Sequence, residues 1–224
     1  NDVNKAVITL MNIIIVLTPL IGTIIGVMYY YNSKEFTELL LAQPINRKKI
    51  FMGQYLGVSI SLTLSLVLGL GIPFVLYGLF KSAAIFNFML LLVVGSFLNF
   101  IFVALSYNIA LSTENKIKGF GYAILMWLFL AVIYDGLFLI SLVMFDEYPL
   151  DKFSLIATMF NPIDLSRILI LLKLDISALL GYTGAVFRKF FGTNLGMLLS
   201  ISVLVFWVLI PVFRMNLKLK NKDF

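Results

Sequence analysis

The chain has 224 residues, 61% of them hydrophobic and only 12% charged, with a formal net charge of +6. A soluble domain of this length cannot bury that apolar share, so the composition specifies a membrane protein. Cys and His are both absent, which excludes disulfide frameworks, the usual zinc sites and histidine acid–base chemistry.

In chain order, the first uncharged run is Ala6–Ser33. It is too long for a signal peptide and is followed by further apolar runs rather than a soluble domain. The start at Asn1 rather than Met predicts an upstream segment and a sixth span in the full chain. Next comes "FTELLLAQPINRKKI", residues 36 to 50. Good helix formers from Glu35 to Leu41 predict a short helix, and Pro44 ends it, because its ring opposes continuation and pushes Gln43 out of the helical region. A basic loop, Arg47-Lys48-Lys49, leads into the second run.

That run, Ile50–Phe80, contains "GLGIP" and a predicted kink at Pro73. Gly69, Gly71, Gly95 and Gly119 suit close helix approach or bending. The third run, Ser82–Thr113, carries Asn99 and Asn108, and the fourth, Gly119–Phe145, is broken only by Asp135. An ionisable group inside a span is a candidate for a translocation path or a held proton. The alternative is an interhelical hydrogen bond to Asn99, Ser106 or Asn108, or one to Tyr134 nearby. Asn99 and Asn108 are weaker candidates for the same path.

The outer segment Asp146–Lys189 contains "NPIDLSRILILLKLDISALLG", residues 161 to 181. Asn161 caps this predicted helix, Pro162 suits its first position and Asp164 favours the positive end of its dipole. Asp164, Arg167, Lys173 and Asp175 would each cost up to ~2.5–3.5 kcal/mol near the bilayer centre, so the helix is re-entrant or interfacial rather than spanning. The last run is Phe190–Phe213. Each of the five runs exceeds the ~20 residues needed to cross the hydrocarbon.

With the Arg47 loop in the cytoplasm, ten basic residues fall inside (Lys34, Arg47, Lys48, Lys49, Lys116, Lys118, Arg214, Lys218, Lys220, Lys222) against seven elsewhere, five of these on Asp146–Lys189. That spread is a topology signal and not a nucleic-acid surface. Met144, Met159 and Met197 fall toward the outer side, but without MxxM clustering they read as packing filler rather than a copper site. The fold class is therefore all-α: one polytopic helical membrane domain over residues 1–224 with five spans present.

"YYYNSKEFTELLLAQPINRKKIFMGQYLG" resembles the cytoplasmic signature of ABC-2 permeases, in which Thr-Glu-Leu-Leu, then Gln-Pro, then a basic residue lead into the next span. "NPIDLSRI" resembles the NosY-type permeases of the nitrous-oxide-reductase maturation system. The resemblance implies a homodimer in a bacterial inner membrane and an ABC ATPase gripping the cytoplasmic helix through Glu35, Glu38, Gln43, Pro44 and Arg47. It also implies a periplasmic β-helical partner met near Asn161, Pro162, Asp164 and Arg167, and a sulfur cargo for copper-site assembly. Family members often carry an acidic–basic pair where Asn32-Ser33 stands here, and Lys34-Glu35 takes that role slightly later. No GxxxxGK[ST] sequence occurs, so the chain itself holds no cofactor and ATP would bind the partner subunit. Two other readings are a generic ABC-2 exporter of lipid, drug or polysaccharide, and a membrane enzyme or secondary carrier needing no ATPase.

Overall fold

The computed structural model describes residues 2–76, 85–145, 150–173 and 187–221. Its long helices are α1 (Asp2–Asn32), α3 (Arg47–Leu76), α4 (Ile85–Ser112), the α5–α6 pair and α9 (Asn194–Asn221); α5 (Lys116–Leu128) runs through a π-helical turn, Phe129–Ile133, into α6 (Tyr134–Met144). Three shorter helices are α2 (Lys34–Leu41), α7 (Asp151–Met159) and α8 (Pro162–Lys173), and residues 187–191 are helical as well. Among the described residues there is no strand. Five stretches are long and apolar enough to cross a membrane: Thr9–Asn32, Arg47–Leu76, Ile85–Ser112, Lys116–Met144 and Leu195–Leu219. The protein is a polytopic helical membrane protein, as its uncharged runs predict.

One end of the bundle is basic. Tyr31 Oη donates to the Thr113 carbonyl at 2.7 Å, Lys116 Nζ donates to Asn32 Oδ1 at 2.8 Å, and Lys218 Nζ donates to the Asn108 carbonyl at 2.8 Å. These bonds bring the ends of α1, α4 and α9 together with the start of α5, and the positive-inside rule makes that end cytoplasmic. The Arg47-Lys48-Lys49 stretch differs from expectation, because it is the first turn of α3 and not a loop. Asn46 starts the helix early, its Oδ1 accepting from Lys48 N at 3.0 Å and its carbonyl from Lys49 N at 2.9 Å.

The core is built around α4, whose Leu98, Ile101, Phe102, Val103, Ala104 and Tyr107 are completely buried. A helix apolar on every face belongs inside the bundle, and α4 is one. Its tightest neighbour is α1. A methyl placed on Gly26 would lie 2.2 Å from Ser106 Oγ and 3.4 Å from the Val103 backbone, and one on Gly22 would lie 3.6 Å from the Asn99 carbonyl. Small residues one turn apart let the two backbones approach where lipid offers no hydrophobic incentive to associate. The expectation for glycines holds at Gly95, close against Leu66, and at Gly119, close against Tyr31, whereas Gly69 and Gly71 face open space. Gly26→Val is expected to lower stability by about 1–3 kcal/mol through overpacking. Thermal unfolding in detergent measures this, with Gly121→Val, where nothing lies within 4 Å, expected to melt as wild type.

The outer segment departs furthest from the sequence reading. It holds two helices, α7 and α8, whose axes turn by 114° at their junction. Phe153 stacks on Phe138 at 6.4 Å, Tyr134 Oη donates to the Ala157 carbonyl at 2.6 Å, and Asn161 Nδ2 donates to the Leu130 carbonyl at 2.8 Å. Successive contacts four residues apart on both chains mean that α7 descends antiparallel to α6. Leu130 is the midpoint of Lys116–Met144, and Trp207, whose Nε1 donates to the Met159 carbonyl at 3.0 Å, is the midpoint of Leu195–Leu219. The hairpin is thus re-entrant, turning at mid-span depth. At the junction Phe160 is exposed whereas Asn161 is fully buried, its amide bonded to the Leu130 carbonyl, which satisfies backbone that lipid could not. The predicted extension of α8 over 174–181, with Asp175, lies outside the described residues.

Candidate functional site

Two places concentrate polar side chains on this apolar scaffold. The first is α2 at the cytoplasmic end. Thr37, on its inner face, is buried; its Oγ1 donates to the Ser33 carbonyl at 2.7 Å and accepts from Gln54 Nε2 at 2.7 Å. Ser33 Oγ in turn donates to the Tyr29 carbonyl at 2.7 Å. A short helix cannot hold itself in water; this one is tied through Ser33 to the end of α1 and through Thr37 to α3. Its outer face is bare: Phe36 is 60% and Leu39 68% exposed.

The residues singled out from sequence fall around these two. Glu35, Glu38, Gln43, Pro44 and Arg47 are all exposed. Glu38 lies 3.8 Å from Lys34 across one helical turn, an exposed pair worth only ~0.3–0.5 kcal/mol. The chain leaves the helix at Ala42, just before Gln43 and Pro44. Polar character alone directs attention to the acids and misses Phe36 and Leu39. The signal that finds them is the placement of apolar residues three apart opposite Thr37.

The second place is the outer hairpin. Asn161 Oδ1 accepts from Ile163 N at 3.0 Å, which makes it the predicted cap of α8, while its Nδ2 also donates to Asp164 Oδ2 at 2.8 Å. One turn on, Arg167 Nη1 donates to Asp135 Oδ2 at 2.9 Å and lies 3.6 Å from Asp164 Oδ1. The guanidinium therefore bridges α6 and α8. It is half-buried, with side-chain exposures of 27% for Arg167, 33% for Asp135 and 11% for Asp164. Charges at this position are tolerable because the one guanidinium is shared between both carboxylates inside the bundle.

The structure brings Asp135 to Arg167, not to Asn99, Ser106, Asn108 or the Tyr134 hydroxyl. Asn99 lies at the α1–α4 crossing beside Gly22, and Asn108 Nδ2 is held by the Ala104 and Pro211 carbonyls at 2.9 and 2.7 Å. The three path candidates are thus in three different places. Asn161, Pro162 and Asp164 are buried, so they shape the hairpin from inside instead of presenting themselves to a partner. Met159 lies at the hairpin turn, Met144 is exposed at the end of α6, and Met197 is in the first turns of α9. Among the described residues no three carboxylates, histidines or cysteines are grouped to hold a metal.

No family model matches the chain. It is 25% identical over 151 residues to the "Probable ABC transporter permease protein NosY" of Stutzerimonas stutzeri, a match covering 65% of this chain and 51% of that protein. The chain therefore spans about half the length of the relative it matches. The five membrane-competent helices make the chain a multi-pass membrane protein, and over the matched stretch it is similar to an ABC-transporter permease.

Proposed function

We propose that this chain is the permease subunit of an ATP-driven transporter of the ABC-2 type, worked by a separate ATPase through α2. The observation that carries the reading is the construction of that helix. It is bonded to its own spans by Thr37 and Gln54 while offering two bare apolar side chains, Phe36 and Leu39, to something outside. A rigid element with an apolar face is what a helix-in-groove contact needs, and its tie to α3 lets a push on α2 reach a span. Glu35, Glu38, Gln43 and Arg47 form the polar rim of that contact, with Pro44 fixing its end.

The cargo reading is narrower. The NosY likeness and "NPIDLSRI" favour export of a sulfur species for copper-site assembly in nitrous-oxide reductase, from a homodimer in the bacterial inner membrane. In this reading the hairpin shaped by Asn161, Pro162, Asp164 and Arg167 positions the outer surface for a periplasmic β-helical protein. Affinity purification in mild detergent separates the possibilities. An ATPase together with a periplasmic protein supports the full proposal, an ATPase alone supports a generic exporter, and neither supports an ATPase-independent carrier.

Glu38→Ala tests the rim. Because the Lys34 pair is exposed and weak, the variant is expected to insert and melt as wild type while ATPase association falls roughly threefold to tenfold, the range for a peripheral charged contact. Unchanged association, measured by titrating the ATPase onto the reconstituted chain, removes Glu38 from the interface.

A further inference from the structure

The re-entrant hairpin fills only the outer half of the gap between its neighbouring spans, and what lies on the cytoplasmic side of its turn is a cavity of about 520 Å³. Met159 and Phe160, at the turn, line it together with Phe206, Trp207 and Ile210 of α9. That volume lies in the range of ligand sites, and its lining is almost wholly apolar.

Two residues depart from this apolar character. Asn108 is 9% exposed; its Nδ2 is committed to two carbonyls, and its Oδ1 is buried inside the wall without a hydrogen-bond partner. Arg214 also lines the cavity, and among the described residues that line it none is acidic. Arg214 lies seven residues, ~10 Å, below the mid-span Trp207, and the headgroup level is ~15 Å below the midplane. An arginine side chain spans the remainder with its stem in hydrocarbon. The cavity is thus apolar above and cationic at its cytoplasmic mouth.

We propose that this cavity binds an anionic phospholipid of the cytoplasmic leaflet. An acyl chain runs along Phe206, Trp207 and Ile210 toward the hairpin turn, and the phosphate pairs with Arg214. Charge complementarity selects the headgroup, since a zwitterionic lipid offers no net charge to the guanidinium. The site does not depend on the chain being driven by an ATPase.

Trp207 in the wall is a built-in reporter. The chain has two tryptophans, so Trp127→Phe leaves Trp207 as the sole emitter. Reconstituted into nanodiscs of mixed phosphatidylglycerol and phosphatidylcholine, with bromine on the acyl chains of one lipid or the other, Trp207 is expected to be quenched preferentially by brominated phosphatidylglycerol. The expected enrichment at equal mole fraction is roughly fivefold, the factor for one basic residue near an anionic headgroup. Arg214→Gln is expected to abolish the preference while leaving quenching by both lipids and the helical circular dichroism intact. Equal quenching by the two lipids in the Trp127→Phe protein overturns the proposal in favour of unselective bulk lipid. Quenching by neither overturns it in favour of a protein cover, a second copy of the chain included. A preference that survives Arg214→Gln overturns the assignment of the phosphate to that residue.

Discussion

Arg167→Gln is expected to be the most damaging single substitution in the outer half of the protein. The change leaves Asp135 and Asp164 without the cation that lies 2.9 and 3.6 Å from them. Removing one partner of a fully buried ion pair costs ~3–5 kcal/mol, chiefly through the charge left behind. These side chains keep 27% and 33% exposure, so the charge left behind is only partly enclosed by protein and the expectation comes down to about 2 kcal/mol. Asp135→Asn is milder, since Arg167 then keeps Asp164 and Asn still accepts a hydrogen bond. The double variant, Asp135→Asn with Arg167→Gln, is expected to recover part of the single loss. Melting temperatures of the four proteins in one detergent form the double-mutant cycle. Purely additive effects would mean that the pair contributes no coupling and that the hairpin is held by packing and Asn161 alone. Transport in Asp135→Asn is a separate readout: a proton-carrying role predicts a changed pH profile, and a merely structural one predicts the same profile at reduced yield.

The second large effect is expected on the partner and not on the fold. Leu39→Asp and Phe36→Asp replace side chains that are 68% and 60% exposed, so insertion and melting should stay at wild-type values. If these are the anchors of a helix-in-groove contact, each is worth ~2 kcal/mol or more, and ATPase affinity falls at least thirtyfold. Thr37→Val provides the complementary test. It keeps the apolar face but removes the acceptor for Gln54 Nε2, so the ATPase is expected to bind near-normally while its hydrolysis no longer drives transport. Normal affinity in Leu39→Asp would remove α2 as the docking element whatever else the chain does.

Much of the fold is legible in one dimension because a bilayer is a one-dimensional constraint. Apolar length decides spanning, so each of the five membrane-competent helices overlaps one of the five apolar runs. Local chemistry is equally readable: Pro44 follows α2, and Asn161 caps α8 as its position before Pro162 implies. The start of α3 was obscured because three consecutive basic residues look like a loop, whereas Asn46 recruits them into the first turn.

The site is less legible because its essential pairing is long-range. Arg167 is counted as an outer-loop charge in any tally along the chain, and nothing in "AVIYDGLF" names a partner 32 positions away. The same pairing decides the depth of the hairpin. Sequence-based costs for Asp164 and Arg167 assume lipid around them, and the fold surrounds them with protein. Helix α7 leaves almost no trace, since "DKFSLIATM" is short and its inner face is Ser154 and Thr158. The crossing at Gly22 and Gly26 was readable as glycines four apart in "GTIIG".

The wide turn at Phe129–Ile133 links these observations. A π turn accommodates one more residue per turn than the helices on either side, and here the Leu130 carbonyl within it is taken by the Asn161 amide. Tightening it to ordinary α geometry would rotate everything beyond it by about 100°, one residue's worth. Asp135, two residues past the turn, would swing off Arg167 in the same motion. The π turn and Asp135 are thus both fastened to the same hairpin, one through the Asn161 amide and the other through Arg167.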